Sequence, residues 1–140
     1  MTDAVKNESR RLAWMLNQIL DQPEVYDAML VSEDGLLRAC SEGMNEAAAD
    51  RVAAALSGVR STSGATAEFC RSRPNSWQQS LMEFGDGYVI MISAADGTYL
   101  AVATSRNADI AVVATTMYTV VGQLGQEMVS APRQEDGSSA

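Results

Sequence analysis

The chain has 140 residues, of which 46% are hydrophobic and 20% are charged, a composition that indicates one packed domain and excludes wholesale disorder. Ten Lys and Arg against eighteen Asp and Glu give a net charge of −8, which excludes nucleic acid as an expected partner and disfavours an anionic membrane surface. Histidine, the commonest general base and metal ligand, does not occur, so we expect no catalysis, no metal and no cofactor.

The first predicted element is a helix from about Asn7 to Asp21. Pro23 ends it, because a residue before proline is pushed out of the helical region. Its apolar residues recur at helical spacing and form one stripe: Leu12, Met15, Leu16, Ile19 and Leu20.

Short apolar segments bounded by turn residues predict five strands, two before the middle helix and three after it. In the first hairpin, Asp34-Gly35 is typical of a two-residue type I′ turn. Hairpins imply antiparallel pairing. The predicted strands are Val25–Ser32, Leu36–Cys40, Ser80–Phe84, Tyr88–Ser93 and Tyr99–Thr104.

Two further helices are predicted. The middle one runs from Asn45, a good N-cap, to about Arg71. The last begins after Asp109, also a plausible N-cap, and is followed by Pro132. The apolar stripe of this last helix comprises Ile110, Val113, Met117, Val120, Val121, Leu124 and Met128.

The resulting order, α-β-β-α-β-β-β-α, predicts an α/β (α+β) fold. Nearly continuous apolar runs indicate strands covered on both faces. We therefore expect a three-layer α/β/α sandwich around a five-stranded antiparallel sheet, with the middle helix on one face and the terminal helices on the other. The single domain is expected over residues 7–131, between a flexible N-terminus at 1–6 and a disordered polar tail at 132–140.

Motifs that carry chemistry are missing from the sequence. There is no P-loop, no dinucleotide-binding glycine pattern and no nucleophile elbow. Cys40 and Cys70 lack the spacing of a metal or redox site, and both are predicted to be small buried residues. The start of the chain has no apolar leader and no segment could cross a membrane, so we expect a cytoplasmic protein without direct membrane insertion.

Small residues at helical spacing mark one face of the middle helix. These small residues would let a second subunit approach closely, because Val52, Leu56 and Val59 offer a bulkier stripe that could pack on the sheet instead. The alternative is that the small stripe itself packs on the sheet. The third strand follows a long connection and is a candidate sheet edge, open to pairing. The expected homodimer interface comprises Ala54, Gly58, Ser61, Thr62, Ala65, Trp77, Gln78, Ser80 and Met82.

Arg60, Arg71 and Arg73 form a basic grouping in this acidic chain. They could contact an acidic partner, or they could be solvated side chains that complement the helix dipole. A different class of function is a small-ligand sensor domain, with Trp77, Tyr88 and Tyr99 lining a pocket.

The chain resembles the roadblock/dynein light-chain family, and most of all the small roadblock proteins of actinobacterial conservon operons. The resemblance covers nearly all of the chain except both tails. The segments that carry it are LAWMLNQIL from Leu12, AMLVSEDGLLRACSEGM from Ala28, DRVAAALSGVRS from Asp50, QQSLMEFGDGYVIMISAADGTYLAVAT from Gln78 and ADIAVVATTMYTVV from Ala108.

The resemblance implies a roadblock/profilin-like sandwich and a homodimer formed through the middle helix and the third strand. It further implies a protein without chemistry of its own that binds a small Ras-like GTPase and modulates its activity or localisation. In the similar conservon complexes the partners include a histidine-kinase-like sensor protein, through which the chain would be associated with a membrane. The family supplies no catalytic motif to carry over.

Overall fold

The computed structural model describes the backbone of residues 3–139 and the side chains of residues 10–126. Two short 3-10 turns, Ala67–Cys70 and Pro74–Ser76, lie between the middle helix and the third strand. In chain order the elements are α1 (Asp3–Leu20), β1 (Val25–Ser32), β2 (Leu37–Cys40), α2 (Glu46–Ala65), β3 (Gln79–Phe84), β4 (Gly87–Ser93), β5 (Thr98–Ser105) and α3 (Ile110–Ser139).

The five strands form one antiparallel sheet in the order β2-β1-β5-β4-β3. This confirms the predicted five-stranded sheet and places β3 at one edge, with β2 at the other. In the β3–β4 hairpin, Gln79 aligns with Ile92 and Phe84 aligns with Gly87. We name the two ends of β3 the Gln79 end and the Phe84 end. Within the described residues, β3 therefore has one side of its backbone that pairs with no other strand.

Helices cover both faces of the sheet, as the continuous apolar runs predicted. On one face, α1 and α3 pack against side chains from the central strands. On the other face, α2 contacts a second cluster that includes Met91 and Tyr99. The three-layer α/β/α sandwich is confirmed, and so is the division of the helices between its faces.

The α1 and α3 stripes are confirmed where their side chains are described. Leu12, Leu16 and Ile19 are buried, with Met15 and Leu20 half-buried beside them. From α3, the buried residues are Val113, Met117, Val120 and Leu124, while Met128 lies outside the described side chains.

Both predicted N-caps are confirmed. The Asn45 side chain accepts a hydrogen bond from the Ala48 amide at 3.0 Å, and Asp109 accepts one from the Val112 amide at 3.3 Å. The predicted C-terminus of the middle helix is wrong, because α2 ends at Ala65 and the chain then forms the first 3-10 turn. Cys70 lies in that turn outside the core, so it is exposed, contrary to prediction, whereas Cys40 is half-buried.

The predicted type I′ turn of the first hairpin is also wrong. Of its two central residues only Gly35 has a positive φ, of 87°. The Gly35 amide donates to the Ser32 carbonyl at 2.9 Å, and the Ser32 hydroxyl contacts the Asp34 carboxylate, which stabilises a longer loop. Asp96 and Gly97, between β4 and β5, are the Asp-Gly pair in which both residues have positive φ.

The termini extend the helices beyond the predicted limits. α1 begins at Asp3 and α3 continues past Pro132 to Ser139. The expected flexible N-terminus at 1–6 and disordered tail at 132–140 fall outside the described side chains and stay predictions, as do the domain limits. Within the described part of the chain, no helix combines the length and the apolar character needed to cross a membrane.

Candidate partner surface

The outward face of α2 is built of small residues. Ala54, Gly58, Ser61, Thr62 and Ala65 are all exposed, so the small stripe points away from its own sheet. The alternative, that this stripe packs on the sheet, is wrong.

The side of α2 that packs on the sheet is also composed mainly of small residues: Ala49, Ala53, Leu56 and Gly64 are buried. Of the bulkier stripe predicted for this role, Leu56 is buried, Val59 is half-buried and Val52 is exposed. The prediction for Val52 is wrong because Ala49 and Ala53 take the inner positions and let the helix lie close to the strands.

The two glycines inside α2 have different surroundings. A Cβ atom added at Gly58 would meet nothing within 4 Å, whereas one at Gly64 would lie 3.2 Å from the Pro74 carbonyl oxygen. Gly64 is therefore explained within the protomer by the returning loop. Gly58, which costs helix stability of about 1 kcal/mol relative to alanine, has no such explanation within the protomer.

The start of β3 is fixed to α2 by an aromatic cluster. The Arg60 guanidinium carbon lies 5.3 Å from the centre of the Trp77 ring, and Trp77 meets the buried Tyr99 ring edge-on with centroids 6.4 Å apart. The Trp77 indole nitrogen donates to the Ser80 hydroxyl at 2.8 Å. Burial raises the pKa of the Tyr99 phenol, an effect opposed by the Ser57 hydroxyl and the Arg60 charge.

The predicted interface residues of β3 are thus placed in two environments. Trp77, Ser80 and Met82 are half-buried and Gln78 is exposed. Ser80 and Met82 align with Met91 and Val89 of β4, on the sheet face that α2 covers. The contact of Arg60 with Trp77 places the C-terminal end of α2 next to the start of β3, at this edge of the sheet.

The three arginines are not equivalent. Arg60 is half-buried against Trp77, whereas Arg71 and Arg73 are exposed between the two 3-10 turns. Arg71 has a left-handed φ of 63°, which reverses the chain after the first turn. Contact of this grouping with an acidic partner stays a prediction.

The aromatic residues predicted to line a ligand pocket do not converge. Tyr99 and Trp77 belong to the cluster under α2. Tyr88 aligns with Glu83 and alternates with Val89, so it lies on the opposite face of the sheet. The expectation of one pocket lined by all three is wrong.

A cleft with several charged side chains in its wall lies beside β2. It has a volume of about 560 Å³ and is lined by side chains that include Arg10, Arg38, Glu46 and Asp50. Burial, and then the charges of Glu46, Asp27 and Asp50, raise the pKa of the Cys40 thiol in its wall. Among the described residues, no three His, Cys, Asp or Glu side chains are grouped to hold a metal ion.

Two apolar features on the α2 side were missed by sequence reasoning. Phe69, in the first 3-10 turn, is 95% exposed. An apolar pocket of about 220 Å³ opens between the N-terminal half of α2 and the sheet, where Val52, Leu56 and Val89 contribute to its wall. The sequence signal for Phe69 is that it is the one aromatic residue between Asn45 and Arg71, a segment otherwise rich in small residues.

Comparisons with known proteins agree with this architecture. The family model of the Roadblock/LC7 domain matches residues 12–104. A Roadblock/LC7 domain from Streptomyces avermitilis is 34% identical, with 81% of this chain and 97% of that chain covered and a TM-score of 0.66. A second structure of a Roadblock/LC7 domain from that organism is 26% identical, covering 84% and 97% of the two chains, with a TM-score of 0.76.

MglB from Myxococcus xanthus shares the fold. It superposes with a TM-score of 0.78 over 93% of this chain and 94% of its own, at 13% identity. A search among curated protein sequences gave no match.

Proposed function

Because this chain belongs to the Roadblock/LC7 family, we propose that it is a non-catalytic, homodimeric regulatory protein that binds a small Ras-like GTPase. In this role it modulates the activity or localisation of the GTPase within a bacterial signalling complex. The observation that carries the proposal is the outward face of α2, which is made of small exposed residues, together with the β3 edge, whose start lies against the C-terminal end of α2 through Arg60 and Trp77.

The small stripe of α2 supports the homodimer. A glycine with open space above it lets a second backbone approach, as a larger side chain would not. An antiparallel pair of β3 strands around a two-fold axis would satisfy the free edge of each protomer and place the two α2 helices side by side. The interface would comprise Ala54, Gly58, Ser61, Thr62, Ala65, Trp77, Gln78, Ser80 and Met82.

The GTPase is proposed from the sequence resemblance to roadblock proteins. The chain itself contributes a charge of −8 and no histidine, a combination that suits a binding surface better than an acid–base site. A histidine-kinase-like sensor protein is a further proposed partner, through which the chain would be associated with a membrane.

Titration with a small Ras-like GTPase from the organism that encodes this chain tests the binding directly. The GTPase would be loaded separately with GDP and with a non-hydrolysable GTP analogue, and binding measured by calorimetry. We expect saturable binding in at least one nucleotide state. Absence of binding in both states, with a folded GTPase and the folded 140-residue chain, would contradict the proposal.

A second candidate function is that of a GTPase activator that supplies an arginine. The exposure of Arg71 and Arg73, on a loop next to the small stripe, favours it over other enzymatic roles. Single-turnover GTP hydrolysis with Arg60→Ala, Arg71→Ala and Arg73→Ala separates the two candidates. A regulator that only binds should leave hydrolysis unaffected by all three variants, whereas a supplied arginine accelerates hydrolysis by about 10³-fold or more.

A further inference from the structure

Resting on the homodimer proposed above, we infer that Phe69 of each protomer fills the apolar pocket beside α2 of the other. The occupant of the pocket is thus a second copy of this chain. In one protomer Phe69 is 95% exposed and the apolar pocket is open. In a two-fold dimer each Phe69 would lie in the pocket of the other protomer, so the contact would form twice.

The Phe69 side chain packs against almost none of the described residues of its own protomer. It is 95% exposed, although a phenylalanine buries about 150–250 Å² when packed. The 3-10 turn that carries it is held in place, because the Phe69 amide donates to Thr66 and the Ser72 amide donates to Ala67. A rigid turn that projects an aromatic ring is suited to insertion into a partner.

The pocket has the chemistry to receive an aromatic ring. Its wall includes carbon side chains from α2, β1, β4 and β5, with the carboxylate of Asp27 as its single charged group. Val52 at its rim is 41% exposed and Val89 is half-buried, so filling the pocket would remove apolar surface from water. The volume of about 220 Å³ is sufficient for one side chain rather than a domain.

The two-fold arrangement brings these features together. In each protomer the C-terminal end of α2 is held at the Gln79 end of β3, through Arg60 on Trp77 and the close approach of Gly64 to Pro74. The pocket lies toward the Phe84 end of the sheet. Its residue Val89 aligns with Ala103 of β5 and with Met82 of β3, and Met82 is closer along the strand to Phe84 than to Gln79.

Antiparallel pairing of two β3 strands sets the Gln79 end of one beside the Phe84 end of the other. The first 3-10 turn of one protomer therefore approaches the open end of its partner's sheet. The pairing of the helices agrees with this arrangement. If the two-fold axis passes near Gly58, the two α2 helices run antiparallel, and the turn with Phe69 that follows one α2 lies beside the N-terminal half of the other. Val52 and Leu56 of that half line the pocket.

The dimer dissociation constant tests the inference. Sedimentation velocity over a dilution series would compare the wild-type chain with Phe69→Ala and with Val52→Asp. We expect each variant to weaken the dimer by about 30-fold or more, the effect of losing a buried anchor at an interface. Trp14→Ala, which removes an aromatic residue that is 69% exposed on α1, is the matched control and should leave the constant unchanged.

Cross-linking tests the contact itself. In chains with Cys40→Ser and Cys70→Ser, a Phe69→Cys protein would be mixed with a Val52→Cys protein under mild oxidation. We expect the mixed disulfide to form faster than either symmetric one, since the inferred contact joins these two positions across the axis.

The outcomes separate this inference from the homodimer itself. A wild-type chain that is monomeric at micromolar concentration would overturn both. A wild-type dimer whose dissociation constant is the same with Phe69→Ala, or that gives no mixed disulfide, would overturn the insertion of Phe69 and leave the homodimer standing.

Discussion

The two faces of the sheet differ in how completely this chain covers them. On the α1 and α3 side, large side chains such as Leu16, Met117 and Leu124 are fully buried between the helices and the strands. On the α2 side, one helix with mainly alanine and glycine on its inner surface covers part of the sheet, and Phe84 at the far end is 59% exposed. The α1 and α3 face is the more finished of the two, with Leu81 at the β3 edge still 54% exposed, and the α2 face is a half-covered surface.

This difference indicates where stability and function lie. The finished face gains its free energy of folding within one chain. The half-covered face combines an open apolar pocket, a free strand edge and a helix whose outer residues are small. Exposed apolar surface of this kind marks an interaction site in soluble proteins.

The largest expected effect is on the finished face. Leu16 is 0% exposed, so Leu16→Ala should lower the free energy of unfolding by about 2–5 kcal/mol through lost burial and a residual cavity. Leu36, 63% exposed in the first hairpin, is the matched control, and Leu36→Ala should change it by about 0.5 kcal/mol or less. Urea denaturation measures both, and equal losses would remove the distinction between core and surface drawn here.

The two glycines of α2 should respond oppositely to the same substitution. Gly64→Leu forces a side chain against the Pro74 carbonyl and should destabilise the fold by about 1–3 kcal/mol. Gly58→Leu meets open space and should leave the fold intact, with a gain of up to about 1 kcal/mol in helix propensity, while weakening the dimer.

Thermal unfolding and light scattering on both glycine variants check this contrast. A Gly58→Leu chain that stays fully dimeric would show that the small stripe makes no close contact. A Gly58→Leu chain that unfolds would show that the stripe faces the sheet after all.

A smaller effect is expected at the border between the two regions. Arg60→Ala removes the cation–π contact with Trp77 and should cost about 0.5–1 kcal/mol of unfolding free energy. Arg51→Ala, at an exposed position of the same helix, is the control for loss of charge. If both variants lose the same amount in urea denaturation, the stacking on Trp77 contributes nothing.

The smallest expected effect concerns the Cys40 thiol. Since burial and nearby carboxylates raise its pKa, less thiolate is present in the folded chain than in the unfolded chain at pH 8. Alkylation of Cys40 followed by mass spectrometry should therefore be slower in the folded protein. By the same linkage, the contribution of Cys40 to stability should decline as pH rises above the ordinary thiol range near about 8.5. Equal alkylation rates with and without denaturant would contradict this.

Most of the fold could be predicted from the sequence because local rules agree with the global structure. Val25–Ser32 was bounded by turn residues and forms β1 over those limits. Asn45 was an N-cap by residue type and is one by hydrogen bonding. The errors arose where tertiary contacts decide: α2 stops at Ala65 and Gly64 packs against the returning loop, which no helical period reveals.

The partner surface could be predicted only in part. The small stripe was visible as a pattern at helical spacing, and its outward direction is confirmed for Gly58 and its neighbours. The pocket was not predictable, because Val89 and Val52 are far apart in the chain and meet only through the strand order. Phe69 was read as part of a helix that in fact ends before it.

The molar mass of the 140-residue chain in solution tests the central claim, that a second copy completes the half-covered face. Sedimentation equilibrium at micromolar concentration should give twice the chain mass of 14.9 kDa, about 30 kDa. A single species of 14.9 kDa across the concentration range would contradict the claim.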